Sequence, residues 1–109
     1  MSLQKYLQHY LIAVKHPELS GFEYLEMLMV RDEVETQVLF LDDTQKALLA
    51  KADQRLFTQA VKFNTALSQI TTLSYEREQR QPSPEQWWWY LDVLATVPSI
   101  DKPILEAEI

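Results

Sequence analysis

The chain has 109 residues, 47% of them hydrophobic and 24% charged, with a formal net charge of −6. That balance belongs to a folded domain with one modest core and sets aside intrinsic disorder. The absence of cysteine excludes disulfides, thiol catalysis and thiolate metal sites, and the single glycine, Gly21, is too few for a phosphate-cradling loop or for the tight turns of a sheet protein.

Helices are therefore expected throughout. At about 100° per residue, Leu3, Tyr6, Leu7, Tyr10, Leu11 and Val14 share one face, which predicts a first helix over 2–15. Ile12 is stranded on the opposite face among Gln8, His9 and Lys15, and His16-Pro17 ends the helix because a residue before proline is pushed out of the helical region. Gln8 and His9 interrupt the apolar positions, so these opening residues make no signal-peptide core. No apolar run approaches the roughly 20 residues that span a bilayer. A cytoplasmic protein is the expectation, without membrane partners.

Ser20-Gly21-Phe22-Glu23 has the spacing of a capping box and predicts a second helix over 21–40. Its apolar residues include Leu25, Leu28, Met29, Val34 and Val38, and the polar cluster Arg31-Asp32-Glu33 interrupts the stripe. Asp42 and Gln45 are spaced to cap a third helix, which dominates the reading. No proline or glycine occurs between Asp42 and Gln81, and Leu49, Leu56, Phe63 and Ile70 recur every seven residues, with Ala52, Ala60, Leu67 and Leu73 between them. This seam predicts one helix over 43–80, with a second stripe of Phe57, Val61 and Tyr75 beside it. At 1.5 Å per residue it would be about 55 Å long, more than three shorter helices cover. Either it bends near 71–75, where β-branched residues weaken it, or its far end pairs with a second chain.

Gln81-Pro82-Ser83-Pro84 is the obvious linker; Ser83 as cap, Pro84 at the first position and Gln86 at the box position predict a fourth helix over 84–96. Pro98 and Pro103 make 98–109 an extended tail. The expected architecture is all-α, a four-helix bundle-like single domain over 1–97 with one long central helix. In it the second helix packs antiparallel to the third.

Charge is unevenly placed. From Glu18 to Asp43 there are eight acidic residues against Arg31 alone, whereas from Thr44 to Arg80 six basic residues face three acidic ones. Glu23, Glu26 and Glu33 are expected to pair with Lys51, Arg55 and Lys62 across the two antiparallel helices, each exposed pair contributing at most about 1 kcal/mol. The acidic balance argues against nucleic acid, whose binding depends on neutralising phosphates.

Trp87-Trp88-Trp89-Tyr90 is the most unusual feature. On an α-helix, four consecutive side chains spread over about 300°, so they cannot all enter one core. Trp87 falls with Leu91 and Leu94, Trp88 at the border, and Trp89 beside Glu85, Asp92 and Thr96 on the side expected to face water. Two readings of Trp89 stand open: a residue leaning on a neighbouring helix of its own chain, or the rim of a contact surface, since tryptophan anchors interfaces. Trp88, Trp89, Val93, Tyr75 and Ile12 are the candidate interface residues.

His9 and His16, seven apart on a polar face, lack metal-ligand spacing and read as solvated. Asp32-Glu33-Val34-Glu35 lacks the glycine and alternating ligands of a calcium loop, and Asp42-Asp43 reads as a cap. No metal, cofactor or small-molecule substrate is expected, and no catalytic residue is assigned. The leading expectation is a small non-enzymatic interaction protein, an adaptor, assembly helper or regulatory subunit, with a homodimer or another protein as partner. The alternative is a helical ligand-binding protein or small enzyme with a pocket lined by Trp87, Tyr90 and Phe63.

Overall fold

The structure is a computed structural model, and it describes residues 2–16 and 18–97. Every regular element among the described residues is helical, without strands: α1 (Leu3–Lys15), α2 (Gly21–Thr36), α3 (Asp43–Thr58), α4 (Ala60–Leu67), α5 (Leu73–Arg80) and α6 (Leu91–Leu94), with 3₁₀ turns at Val38–Phe40 and Trp87–Tyr90. None of these helices is long and apolar enough to cross a membrane. The segment 98–109, expected as an extended tail, lies outside the described residues.

The starts of α2 and α3 follow their caps. Ser20 accepts from the Glu23 amide while Glu23 accepts from the Ser20 amide, and Asp42 and Gln45 repeat the exchange at the head of α3. The Ser20 amide and hydroxyl also hold the Glu23 carboxyl below its ordinary range. Between α1 and α2, the buried Tyr24 donates its hydroxyl to the His16 carbonyl at 2.6 Å, tethering the turn.

The long central helix is the main correction. The stretch 43–80 is three helices, not one bent rod. At the first break, Thr58 Oγ1 donates back to the Gln54 and Arg55 carbonyls at 2.9 and 3.4 Å, and Gln59 leaves helical geometry at φ −107°, ψ 30°. Such back-bonding competes with the backbone ladder and bends helices. At the second break, residues 68–72 form a turn and an extended step, and Thr72 caps α5 by accepting from the Tyr75 amide. The β-branched run thus ends one helix and starts another. Leu49, Ala52, Leu56, Ala60, Phe63, Leu67 and Leu73 are nevertheless buried, with Ile70 only half-buried, so most of the apolar seam survives although the rod does not.

Helix α1 packs on both α2 and α3, and α2 also lies against α4. The expected face-to-face packing of α2 on α3 does not form. The core gathers Tyr10, Val14, Tyr24, Met27, Leu28, Leu56, Phe63, Leu67 and Leu91, with Tyr24 edge-on to Phe63 at 4.8 Å between ring centres. Gly21 sets the spacing of α2 on α4: a Cβ there would stand 2.5 Å from the Ala66 carbonyl oxygen. Only a residue without a side chain allows that approach.

The fourth predicted helix also changes form. The Ser83 amide donates to Gln86 Oε1 at 2.8 Å, half of the expected box, but 84–85 is a turn and winding begins as a 3₁₀ helix at Trp87. Upstream, Gln81 ends α5 in the left-handed region at φ 49°, directly before Pro82.

Candidate functional site

Two charged clusters differ in every physical respect. The first is closed. Arg31 continues the buried stripe Tyr24, Met27, Leu28 and Val34 on the inner face of α2, and only 4% of it is exposed. It donates twice to Asp53 of α3, both at 2.9 Å, and once to Glu35 at 3.0 Å. Its guanidinium lies 4.2 Å from the centre of the Trp88 ring and 5.7 Å from that of Tyr10. Tyr10, wholly buried, donates its hydroxyl to the same Asp53 at 2.6 Å. Burial works against the Arg31 charge, but the hydrogen bonds and charge of Asp53 outweigh it and hold the group above its ordinary range. Burial, then the neighbouring Asp53 carboxylate, push the Tyr10 phenol well above its usual value.

The next residue along α2 closes the knot. Asp32 accepts from the indole N–H of Trp88 at 2.7 Å, from that of Trp89 at 2.9 Å, and from the Gln86 amide at 3.0 Å. Both indoles are buried, at 1% and 0% exposure. Two arginines of α5 secure the outer side. Arg77 grips Asp92 at 2.6 and 3.1 Å, donates to the Trp89 carbonyl at 2.8 Å, and stacks on Tyr90. Arg80 pairs with the buried Glu76 at 3.0 Å and covers the Trp89 ring. Burial alone would raise the Asp92 carboxyl, but the Arg77 hydrogen bonds and charge hold it below its ordinary value.

The second cluster is open. Between α1 and α3 a cleft of about 240 Å³ has an apolar floor of Leu11, Leu48 and Ala52 and a rim of Lys15, Lys51 and Arg55. It continues along α3 past Gln54 to Thr58 and Gln59. None of the three rim cations forms an ion pair among the described residues. Arg31, Arg77 and Arg80 each hold a carboxylate and cover an aromatic ring; the Arg55 guanidinium does neither. The expected neutralisation by the acidic flank of α2 fails because α1 packs on both helices. Glu26 instead meets His9 at 3.3 Å, so His9 has a carboxylate partner where a solvated side chain was expected.

On the far side of α1 the surface has the opposite sign. Tyr6, Glu26, Met29, Val30 and Glu33 line a hollow of about 230 Å³ between α1 and α2. Phe22, 70% exposed, extends the same α2 face by one turn. Among the described residues the most exposed large apolar side chains are Leu39 and Phe40, on the 3₁₀ turn after α2.

Of the candidate interface residues, Ile12, Tyr75 and Val93 are exposed, on α1, α5 and α6 respectively, and none lines the α1–α3 cleft. Trp88 and Trp89 are not surface residues at all. The wheel that turned Trp89 toward water assumed a regular α-helix with one buried side. The real segment is a 3₁₀ turn enclosed by α2, α5 and α6, with a carboxylate supplied inside for both indoles. Trp87 and Tyr90 do share a hollow, open and apolar, completed by Pro84 and Leu94, while Phe63 is buried apart from it against Tyr24. No group of three or more histidine, aspartate or glutamate side chains among the described residues is placed to hold a metal.

The residues missed were Tyr10, Arg31, Asp32 and Asp53 as one unit. A signal existed: Arg31 is the lone cation of the acidic stretch and stands in register with the apolar stripe of α2. Comparison with family models, with curated proteins and with solved structures gives no match for this chain.

Proposed function

We propose that this is a small non-enzymatic protein-interaction protein of the cytoplasm, an adaptor, assembly helper or regulatory subunit, whose α1–α3 cleft receives an acidic, partly apolar helical segment. The observation that carries the reading is Arg55. Every other arginine is neutralised inside the fold, whereas Arg55 joins Lys15 and Lys51 around an apolar floor without a carboxylate among the described residues. Cations above an apolar groove suit an amphipathic helix carrying carboxylates, which would satisfy floor and rim together. Three rim cations on a chain of net charge −6 favour such a protein partner over a nucleic-acid backbone.

Affinity capture from native extract tests this with three baits: wild type, Lys51→Glu with Arg55→Glu, and Lys62→Glu as a charge control outside the cleft. Partners retained by wild type and the control but lost with the double reversal support the cleft. An identical set on all three baits sinks it.

A further inference from the structure

Resting on that reading, we infer that the cleft's occupant is a second copy of this chain, which docks the outer face of its own α2 head-to-tail into the α1–α3 cleft. The two surfaces match in kind and opposite in sign. One presents Lys15, Lys51 and Arg55 around Leu11, Leu48 and Ala52; the other presents Glu26 and Glu33 around Met29, with Phe22 extending it. Both are amphipathic helix surfaces of similar length. Phe22, Glu26, Met29 and Glu33 recur at helical spacing over about 16 Å of axis, and Leu48, Lys51, Arg55 and Thr58 cover about 15 Å of α3. Glu26 and Glu33 stand two turns apart, about 10 Å, within reach of long side chains placed one turn apart on α3 with Lys15 across the groove.

Within one molecule the two faces cannot meet, because α1 packs on both α2 and α3. The contact uses different surfaces on its two sides, so it is heterologous and propagates as a chain or ring rather than closing as a two-fold dimer. Its charged rim makes it weaken with salt, since exposed pairs are screened beyond a Debye length of about 10 Å at 0.1 M.

Sedimentation velocity of the full chain, over a concentration series at low and high salt, reads the outcome. Wild type is expected to gain mass with concentration at low salt and to return to monomer at high salt. Glu26→Lys with Glu33→Lys, and separately Lys51→Glu with Arg55→Glu, are each expected to remain monomeric. Mixed in equal amounts, these two variants again present opposite charge at both junctions, acidic α2 against basic cleft and basic α2 against acidic cleft, and should recover concentration-dependent association that neither shows alone. That complementation also shows that both variants are folded. A wild type that stays monomeric at low salt, variants that associate as wild type does, or a mixture that fails to pair each overturn the self-docking inference. In the first case a synthetic acidic amphipathic helix, titrated against wild type and the double cleft variant, separates the two ideas. Binding lost only in the variant keeps the cleft and removes the second copy as its occupant; no binding to either removes both.

Discussion

Arg31 and Arg55 carry the same group in opposite circumstances. Arg31 is buried, spends three nitrogens on two carboxylates and lies against two rings; Arg55 stands at a cleft edge with neither among the described residues. A buried ion pair returns little net stability compared with a well-packed apolar alternative, yet breaking it by removing one partner is expensive. An exposed cation is nearly neutral to the fold and available to something else. The difference teaches where to look for stability and where for contact: the knot around Arg31 joins α2, α3 and the tryptophan segment, while the cations around Arg55 hold no carboxylate among the described residues.

The contrast is broken most severely at Arg31. Arg31→Ala leaves Asp53 without its cation and should cost about 3–5 kcal/mol in urea unfolding. Asp32→Ala comes next. It strips the acceptor from two buried indole N–H groups and should cost about 2–4 kcal/mol, with Asp32→Asn losing less because one acceptor oxygen remains. Tyr10→Phe removes a hydrogen bond to a carboxylate and should cost about 1–2 kcal/mol at neutral pH.

Tyr10 also carries a pH signature. Its folded-state pKa is raised above the ordinary 10.0, so the stabilisation it brings is fully present below that value and is lost as pH climbs through the folded one. Wild type should therefore lose stability above pH 10 more steeply than Tyr10→Phe, and the two unfolding curves should converge in alkali. Tyr24, raised chiefly by burial, titrates in both proteins and cancels from the difference. The smallest effect sharpens the comparison from the other side: Lys51→Glu with Arg55→Glu should shift stability by no more than about 0.5 kcal/mol per site while removing association.

Much of the fold was legible because local chemistry decides it. The capping boxes at Ser20 and Asp42 placed two helix starts, and of the heptad seam Leu49, Leu56 and Phe63 are buried while Ile70 is half-buried. That seam did not reveal its own interruptions. A hydrophobic period records which side chains face inward, and Phe63 and Leu73 face inward whether or not the backbone between them is continuous. Thr58 donates its hydroxyl to backbone carbonyls in competition with the ladder, Thr72 accepts the Tyr75 amide as a cap, and a pattern of apolar residues is blind to both. Trp88 and Trp89 failed for a related reason. A helical wheel has an inside and an outside, whereas a short segment enclosed on several sides has no outside to assign. The cleft escaped because its expected neutralisation presumed that the acidic flank of α2 packs on α3, whereas α1 packs on both helices and Glu26 meets His9 of α1 instead.

The crowding of all three tryptophans into one segment gives the protein a built-in optical reporter of a single junction. Trp88 and Trp89 sit in a dry, carboxylate-bonded environment beside cationic arginines, and Trp87 leans on Phe57 at 5.6 Å between ring centres. No tryptophan lines the α1–α3 cleft. Intrinsic emission should therefore shift to the red when the C-terminal turn lifts from α2, and keep its colour when a second copy settles in the cleft, because no tryptophan lines either face of that contact. One cuvette measurement would then separate loosening of the fold from engagement of its surface.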